Sequence, residues 1–394
     1  MRNHRKRGFS TGMNRRRFLA ASALAAVAAP SWLAHGERKT NRRWLLVGTQ
    51  THENSRGIYG YEWDPASGEL KGGDLAAASD NPTFLALDPA ANYLYAANEL
   101  DEFEGQKSGA VSAFSLDIPG RKLRPINQVA SLGSGTCNIS VDRIGRAAFC
   151  ANYVGGSASS FSLHPDGQIS DAVSHFQYTG HGPNADRQEG PHAHRVTVSP
   201  DNRWLLVNDL GLDRIHIYHL DPATAKLRPN QPPAWLAAPG SGPRALVFHP
   251  NGRIAYCVCE MASVVNVLRW DTQNGTLHEI QTISLVPEDY HGPTTGCDIA
   301  VTRDGRFAYA INRFYDSAES FSVAKDGKLT LLARGSCGGK TPRHLALDPT
   351  ERFLLVANQD SDNIAVLARD AKTGKLADSA KSYPRVKPQC LVFA

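Results

Sequence analysis

Five residues are of types that transfer protons or bind anions when they converge: His194, Arg244, Glu260, Arg313 and Arg343, at successive intervals of 50, 16, 53 and 30 residues. An imidazole accepts a proton near neutral pH, and a carboxylate beside it can hold its orientation. Guanidinium groups grip a carboxylate or phosphate through two parallel hydrogen bonds. Three of them around one glutamate carry surplus positive charge, so the expected ligand is an anion. A second group lies in the Gly-rich text Gly180-His-Gly-Pro-Asn-Ala-Asp-Arg-Gln-Glu-Gly-Pro-His-Ala-His194, which is too long for a tight turn. His181, Glu189, His192 and His194 are a candidate metal set there, because His-x-His spacing puts two imidazoles on one face of a strand. No cysteine or paired carboxylate stands at matching spacing, so neither a metal nor another cofactor is expected. The candidate catalytic residues are His194, Glu260, Arg244 and Arg313. Arg343, Glu189, His192 and Gln359 are candidate ligand contacts.

Residues so far apart in sequence need a rigid frame to meet, and an internal repeat predicts one. A short apolar strand recurs seven times, as in Gly57-Ile-Tyr-Gly-Tyr61, Gly109-Ala-Val-Ser-Ala-Phe114, Arg214-Ile-His-Ile-Tyr218 and Asn363-Ile-Ala-Val366. Six of these follow a strand, a tight turn and a second strand, at 82–99, 136–153, 193–209, 243–260, 296–313 and 342–359. The seventh copy is split between Cys390-Leu-Val-Phe393 and Arg43-Trp-Leu-Leu-Val47 at the two ends of the chain. Asn98, Asn152, Asn208, Cys259, Asn312 and Asn358 mark one position in successive units, at intervals of 54, 56, 51, 53 and 46 residues. Units of this size predict four-stranded propeller blades, hence an all-β, seven-bladed β-propeller over 42–394 whose ring closes by pairing of its N- and C-terminal strands.

In such a ring the start of each blade's first strand and the end of its second share one face. Aligning the copies on Asp88-Pro89, Asp142-Arg143, Ser199-Pro200, His249-Pro250, Thr302-Arg303 and Asp348-Pro349 places those turns on the other face. The first column then reads Thr83, Cys137, His194, Arg244, Cys297, Arg343 and Cys390. The second reads Gln50, Glu99, Tyr153, Asp209, Glu260, Arg313 and Gln359. Positions that only pack would hold similar residues in every copy, whereas these columns mix His, Arg, Glu, Asp and Cys. Variation confined to one mouth of the channel predicts a ligand site there.

The 394 residues are 41% hydrophobic and 21% charged, which suffices for a large core and excludes a disordered chain. The formal charge of +5 is a local matter. Residues 1–34 hold seven of the 43 basic residues and no acidic one, which leaves 36 basic against 38 acidic side chains. A body near −2 has no electrostatic case for nucleic acid. Arg15-Arg16-Arg17-Phe18-Leu19 fits a twin-arginine export signal, and the Ala-rich run 19–29 that follows is too short to span a bilayer. Residues 1–36 are therefore expected to be a signal peptide and linker. The expected location is periplasmic or secreted, with the twin-arginine translocase as partner during export and no stable membrane anchor after cleavage. Seven cysteines, odd in number, predict mostly buried thiols with at most one or two bridges.

Several motifs carry a family resemblance. Ala151-Asn-Tyr-Val-Gly-Gly-Ser157, Arg187-Gln-Glu-Gly-Pro-His-Ala-His194, Asn208-Asp-Leu-Gly211, Gly242-Pro-Arg244, Asn312-Arg313 and Ala357-Asn-Gln-Asp-Ser361 resemble the seven-bladed propeller lactonases. These comprise the 6-phosphogluconolactonases of that architecture and the related carboxy-cis,cis-muconate cyclases. The resemblance runs from about Trp44 to the C-terminus. It implies a catalytic group of one His, two Arg and one Glu, carried over motif by motif onto His194, Arg244, Arg313 and Glu260. It also implies a small-molecule lactone as substrate, anionic by the argument from the arginines; hydrolysis of a lactone needs an activated water and a stabilised oxyanion, which His194 as base with Glu260 as its orienter and an arginine can supply. A muconate cycloisomerase or a non-enzymatic binding propeller would use the same parts. The family often has Gly-Pro-Arg-His where this chain has Gly242-Pro243-Arg244-Ala245.

Overall fold

The computed structural model describes residues 43–51 and 54–394, so the leader assigned to residues 1–36 lies outside the described residues. The 28 strands form seven four-stranded antiparallel sheets, and no helix occurs among the described residues. Second strands such as Ala147–Asn152, Trp204–Asp209 and Phe353–Asn358 are buried at every position. That is the expected burial of a strand with another sheet packed on each face. After the buried Ile169, the outermost strand Ile169–Gln177 alternates between partly buried and exposed, because it faces solvent at the perimeter.

Seven hydrophobic clusters hold the ring, and each straddles two neighbouring sheets. Tyr95 and Val111 meet Ile139 and Phe161. Phe149 meets Val196 and Tyr218, Leu206 meets Leu246 and Trp270, and Tyr256 and Val265 meet Ile299 and Phe321. Tyr309 meets Leu345 and Val356, Leu355 and Ile364 meet Trp63 and Leu391, and Trp44 and Leu46 meet Leu85 and Phe114. The last two clusters involve the sheet shared by both chain ends, in which Pro388–Phe393 pairs with Arg43–Thr49 through Leu45 opposite Phe393 and Val47 opposite Leu391. The predicted seven-bladed, end-closed propeller is the observed fold.

The turns between first and second strands are closed by a recurring polar side chain. Asp88, Asp142 and Asp348 accept from the amides of Tyr93, Ala147 and Phe353, while the Ser199 and Thr302 hydroxyls accept from those of Trp204 and Phe307. Three residues after each of these positions, and after His249, the backbone is left-handed. Gly145, Gly252 and Gly305 stand there in three blades, and Ala91, Asn202 and Glu351 in the others. Glycine suits this conformation because it lacks the Cβ that clashes there.

Each innermost strand also carries one register shift at its opposite end. Seven consecutive sheets therefore each have one extra residue: Thr83, Cys137, His194, Arg244, Cys297, Arg343 and Gln389. Bulges of this kind bend the strand and re-aim the extra side chain, here towards the channel. The seventh member is Gln389 and not the Cys390 of the sequence alignment. Pro388 occupies the pairing position of Pro82, Pro243 and Pro342, and the residue after it is the bulged one. Cys390 packs in the core beside Leu46 and Leu85. A second correction concerns the neighbouring column. Asp209, opposite Ala193, is the counterpart of Asn152 opposite Thr136, which moves Asp209 inside the blade and leaves Leu210 at the rim. All seven cysteines are buried free thiols, so no bridge forms. Burial pushes the Cys137 and Cys390 thiols up to about 12.

Candidate functional site at the channel mouth

The bulges and the adjacent strand ends bring five of the predicted residues into one cluster: His194, Arg244, Glu260, Arg313 and Arg343. Glu260, one residue beyond the strand Ile254–Cys259, is the hub. Its Oε1 accepts a hydrogen bond from Arg187 Nη2 at 2.6 Å, and its Oε2 is ion-paired with Arg244 Nε at 2.7 Å and Arg313 Nη2 at 2.9 Å. Arg244 also donates to the Cys297 carbonyl, and Arg313 Nε donates to Thr295 Oγ1 at 3.1 Å. Burial alone would raise the Glu260 pKa, but Arg313, Arg244 and Arg187 outweigh it and hold the carboxyl at about 2. Glu260 is therefore a permanent carboxylate that orders the arginines.

His194 is not hydrogen-bonded to Glu260, which departs from the expected pairing of base and orienter. Among the described residues no hydrogen bond reaches the His194 ring, which packs edge-on against Tyr153 with centroids 5.6 Å apart. Its pKa is held well below the ordinary value, first by burial and then by the fields of Arg244, Arg343, Arg313 and Arg195. The result is a neutral imidazole with an available lone pair, surrounded by cations. The Arg343 guanidinium, half-buried in the same column of bulges, has no hydrogen-bond or ion-pair partner among the described residues, while its backbone carbonyl accepts from Cys297 Sγ at 3.1 Å. A guanidinium with its donor fork unengaged beside a neutral histidine is an anion receptor next to a proton acceptor.

The other predicted contacts sit differently. His192 stacks on Tyr153 at 4.5 Å, its Nδ1 bonds the Tyr153 carbonyl at 3.0 Å, and its Nε2 meets Glu189 Oε1 at 3.1 Å. Both ring nitrogens are thus engaged, and His192 fixes the tyrosine. Glu189 is exposed, and Gln359 lies at the rim with its Nε2 bonded to Asp360 Oδ1 at 3.2 Å. No group of three His, Cys, Asp or Glu able to hold a metal exists among the described residues.

Sequence reasoning missed three residues here. Arg187 reaches Glu260 from the long loop, and its place in the Arg-Gln-Glu-Gly-Pro-His-Ala-His motif was the available signal. Tyr153, whose hydroxyl lies 3.5 Å from Arg187 Nη2, belongs to the rim column. Gln389 replaces Cys390 at the seventh bulge, where both carboxamide atoms are buried without a partner.

A second layer closes the channel beneath the cluster. Arg195 Nη1 and Asp298 Oδ1 are 2.6 Å apart, His344 Nε2 lies 3.7 Å from Asp298 Oδ2, and the Phe84 ring sits under the Arg195 guanidinium and against His344. A residual void of about 10 Å³ remains between the layers, room for no more than one water. On the far side, a funnel of about 570 Å³ lined by Leu87, Val198 and Phe248 opens to the turn face. His194 does not line that funnel. A groove of about 940 Å³ around Trp270 and Lys325 lies among the turns, where no comparable buried charge cluster exists among the described residues.

A family model described as Lactonase, 7-bladed beta-propeller, matches residues 44–393. A 6-phosphogluconolactonase of Bacillus subtilis is 34% identical over 348 residues, covering 88% of this chain and 97% of that protein. One from Formosa agariphila is 33% identical over 84% of this chain and 94% of its own length. Among solved structures, the periplasmic gluconolactonase of Pseudomonas aeruginosa superposes with a TM-score of 0.84 at 33% identity, covering 89% of this chain and 99% of that one. The chain belongs to the lactonase family of seven-bladed β-propellers and is a lactone hydrolase.

Proposed function

We propose that the protein is an exported hydrolase of an anionic, sugar-acid-type lactone, with chemistry like that of 6-phosphogluconolactonase. The observation that carries this reading is the neutral His194 within a ring of guanidiniums that outnumber their carboxylate. His194 takes a proton from water as the water oxygen attacks the acyl carbon. The carbonyl electron pair moves to oxygen, and Arg313 and Arg343 at the mouth receive that charge. On collapse the ring C–O bond breaks and the imidazolium returns its proton to the leaving alkoxide, giving the open hydroxy acid. Surrounding cations make that imidazolium a strong acid, which favours the second transfer. Arg244 and Glu260 are both buried and act by positioning the cluster.

The test is a pH-stat screen of purified protein against sugar lactones, phosphorylated lactones and muconolactones. Turnover of an anionic sugar lactone supports the proposal. Turnover of muconolactones alone favours the cycloisomerase chemistry, and none above the uncatalysed rate favours a binding propeller. Export rests on the twin-arginine pattern in the proposed 1–36 leader, and a periplasmic relative makes it consistent. Arg16→Lys with Arg17→Lys should hold the precursor in the cytoplasm, and normal periplasmic yield would refute export.

A further inference from the structure

Three arginines share the Glu260 carboxylate, but they are not equally bound. Arg244 and Arg313 have side chains 3% and 14% exposed, and each has a second anchor, at the Cys297 carbonyl and Thr295 Oγ1. Both contact the same oxygen, Oε2, and already neutralise the carboxylate. Arg187 takes the other oxygen from outside. Its side chain is 40% exposed, and its only other polar side-chain contact among the described residues is the long 3.5 Å approach to the Tyr153 hydroxyl.

The backbone that carries Arg187 is pinned. The Asn184 side chain caps the amides of Asp186 and Arg187, the Gln188 amide donates to the Asn184 carbonyl at 2.7 Å, and Gln188 Nε2 donates to the Leu210 carbonyl at 2.9 Å. A fixed backbone with an exposed, singly held guanidinium is a swinging arm rather than a lid. When Arg187 leaves, Glu260 keeps two guanidiniums. When a substrate anion arrives, Arg187 exchanges one carboxylate-like partner for another, with no net loss of ion pairs.

We propose that Arg187 selects anionic lactones: it passes from Glu260 to the carboxylate or phosphate of the substrate and holds it at the rim while His194 and Arg343 face the ring. This rests on the lactonase reading of the same site and adds to it which residue recognises the anion. Arg343 lies in the bulge column beside His194 and serves the acyl end, so the two cations answer two different charges.

Arg187→Met keeps much of the stem and removes the charge, and Arg187→Lys keeps the charge. Values of kcat/KM are measured for a phosphorylated gluconolactone, a carboxylated glucarolactone and neutral glucono-δ-lactone. A charge-assisted pair is worth about 10- to 100-fold in affinity. R187M should therefore lower the anionic-to-neutral ratio of kcat/KM about 10- to 100-fold through KM, with R187K restoring part of it. The two anionic arms tell whether phosphate or carboxylate is preferred. A ratio unchanged in R187M, or lost in Arg343→Met but kept in R187M, overturns the proposal.

If wild type turns over no lactone, the hydrolase reading fails separately. Calorimetry with glucose 6-phosphate, glucuronate and glucose then decides this inference. Preference for the two anions in wild type and its loss in R187M support it, and no such preference, or one that survives in R187M, refutes it.

Discussion

Glu260→Gln removes the charge of the hub while preserving its shape, and its cost can be worked out in two ways. The carboxyl sits at about 2 in the folded protein against an ordinary 4.5. A group with a depressed folded pKa stabilises above its unfolded pKa and loses that contribution as pH falls through the folded one. At pH 7 the difference amounts to roughly 3 kcal/mol, and at pH 3 to roughly 1 kcal/mol. Independently, removing one partner from a buried ion pair typically costs about 3–5 kcal/mol, because the charges left behind have no counterion. Arg244 and Arg313 would be those charges. For a domain of this size roughly 3 kcal/mol corresponds to about 4 °C in Tm. Scanning calorimetry of wild type and variant at pH 7 and pH 3 should show the gap and its narrowing in acid. A variant that melts with wild type at pH 7, or a gap that does not narrow at pH 3, would refute the hub.

Three further outcomes test other parts of the structure. His194→Ala should lower kcat about 10²- to 10⁴-fold, and in wild type the acid limb of kcat/KM should lie well below pH 6.5, since the base stays neutral there; a limb at or above 6.5 contradicts the cation-surrounded imidazole. Deleting residues 388–394 removes the innermost strand of the closing blade and should abolish the cooperative thermal transition; an unchanged Tm would refute closure. Glu319, buried so that its carboxyl is pushed up to about 8, is neutral in the folded state and binds more protons there than when unfolded, so stability is lost as pH rises from 4.5 through 8. Glu319→Gln should stabilise by roughly 1 kcal/mol at pH 5 and roughly 3 kcal/mol at pH 7, and an equal effect at both pH values would contradict this.

The repeat, the number of blades and the closing strands were legible in the chain, because they rest on alternation and on turn residues that act within a few positions. His194, Arg244, Glu260 and Arg313 could be picked out as exceptions to an otherwise apolar pattern. The register at the bulges could not. A one-residue choice between Gln389 and Cys390, or between Asp209 and Leu210, is made by backbone pairing, and neither residue type announces it. Nor could the partners of Glu260 be read. Arg187 lies 73 residues earlier on a loop outside the repeat, and only the closed ring decides that it, rather than His194, meets the carboxylate. The charge state of His194 depends on the same closure. Burial and four arginines from different parts of the chain set it together, and electrostatic fields act through space, not along the sequence.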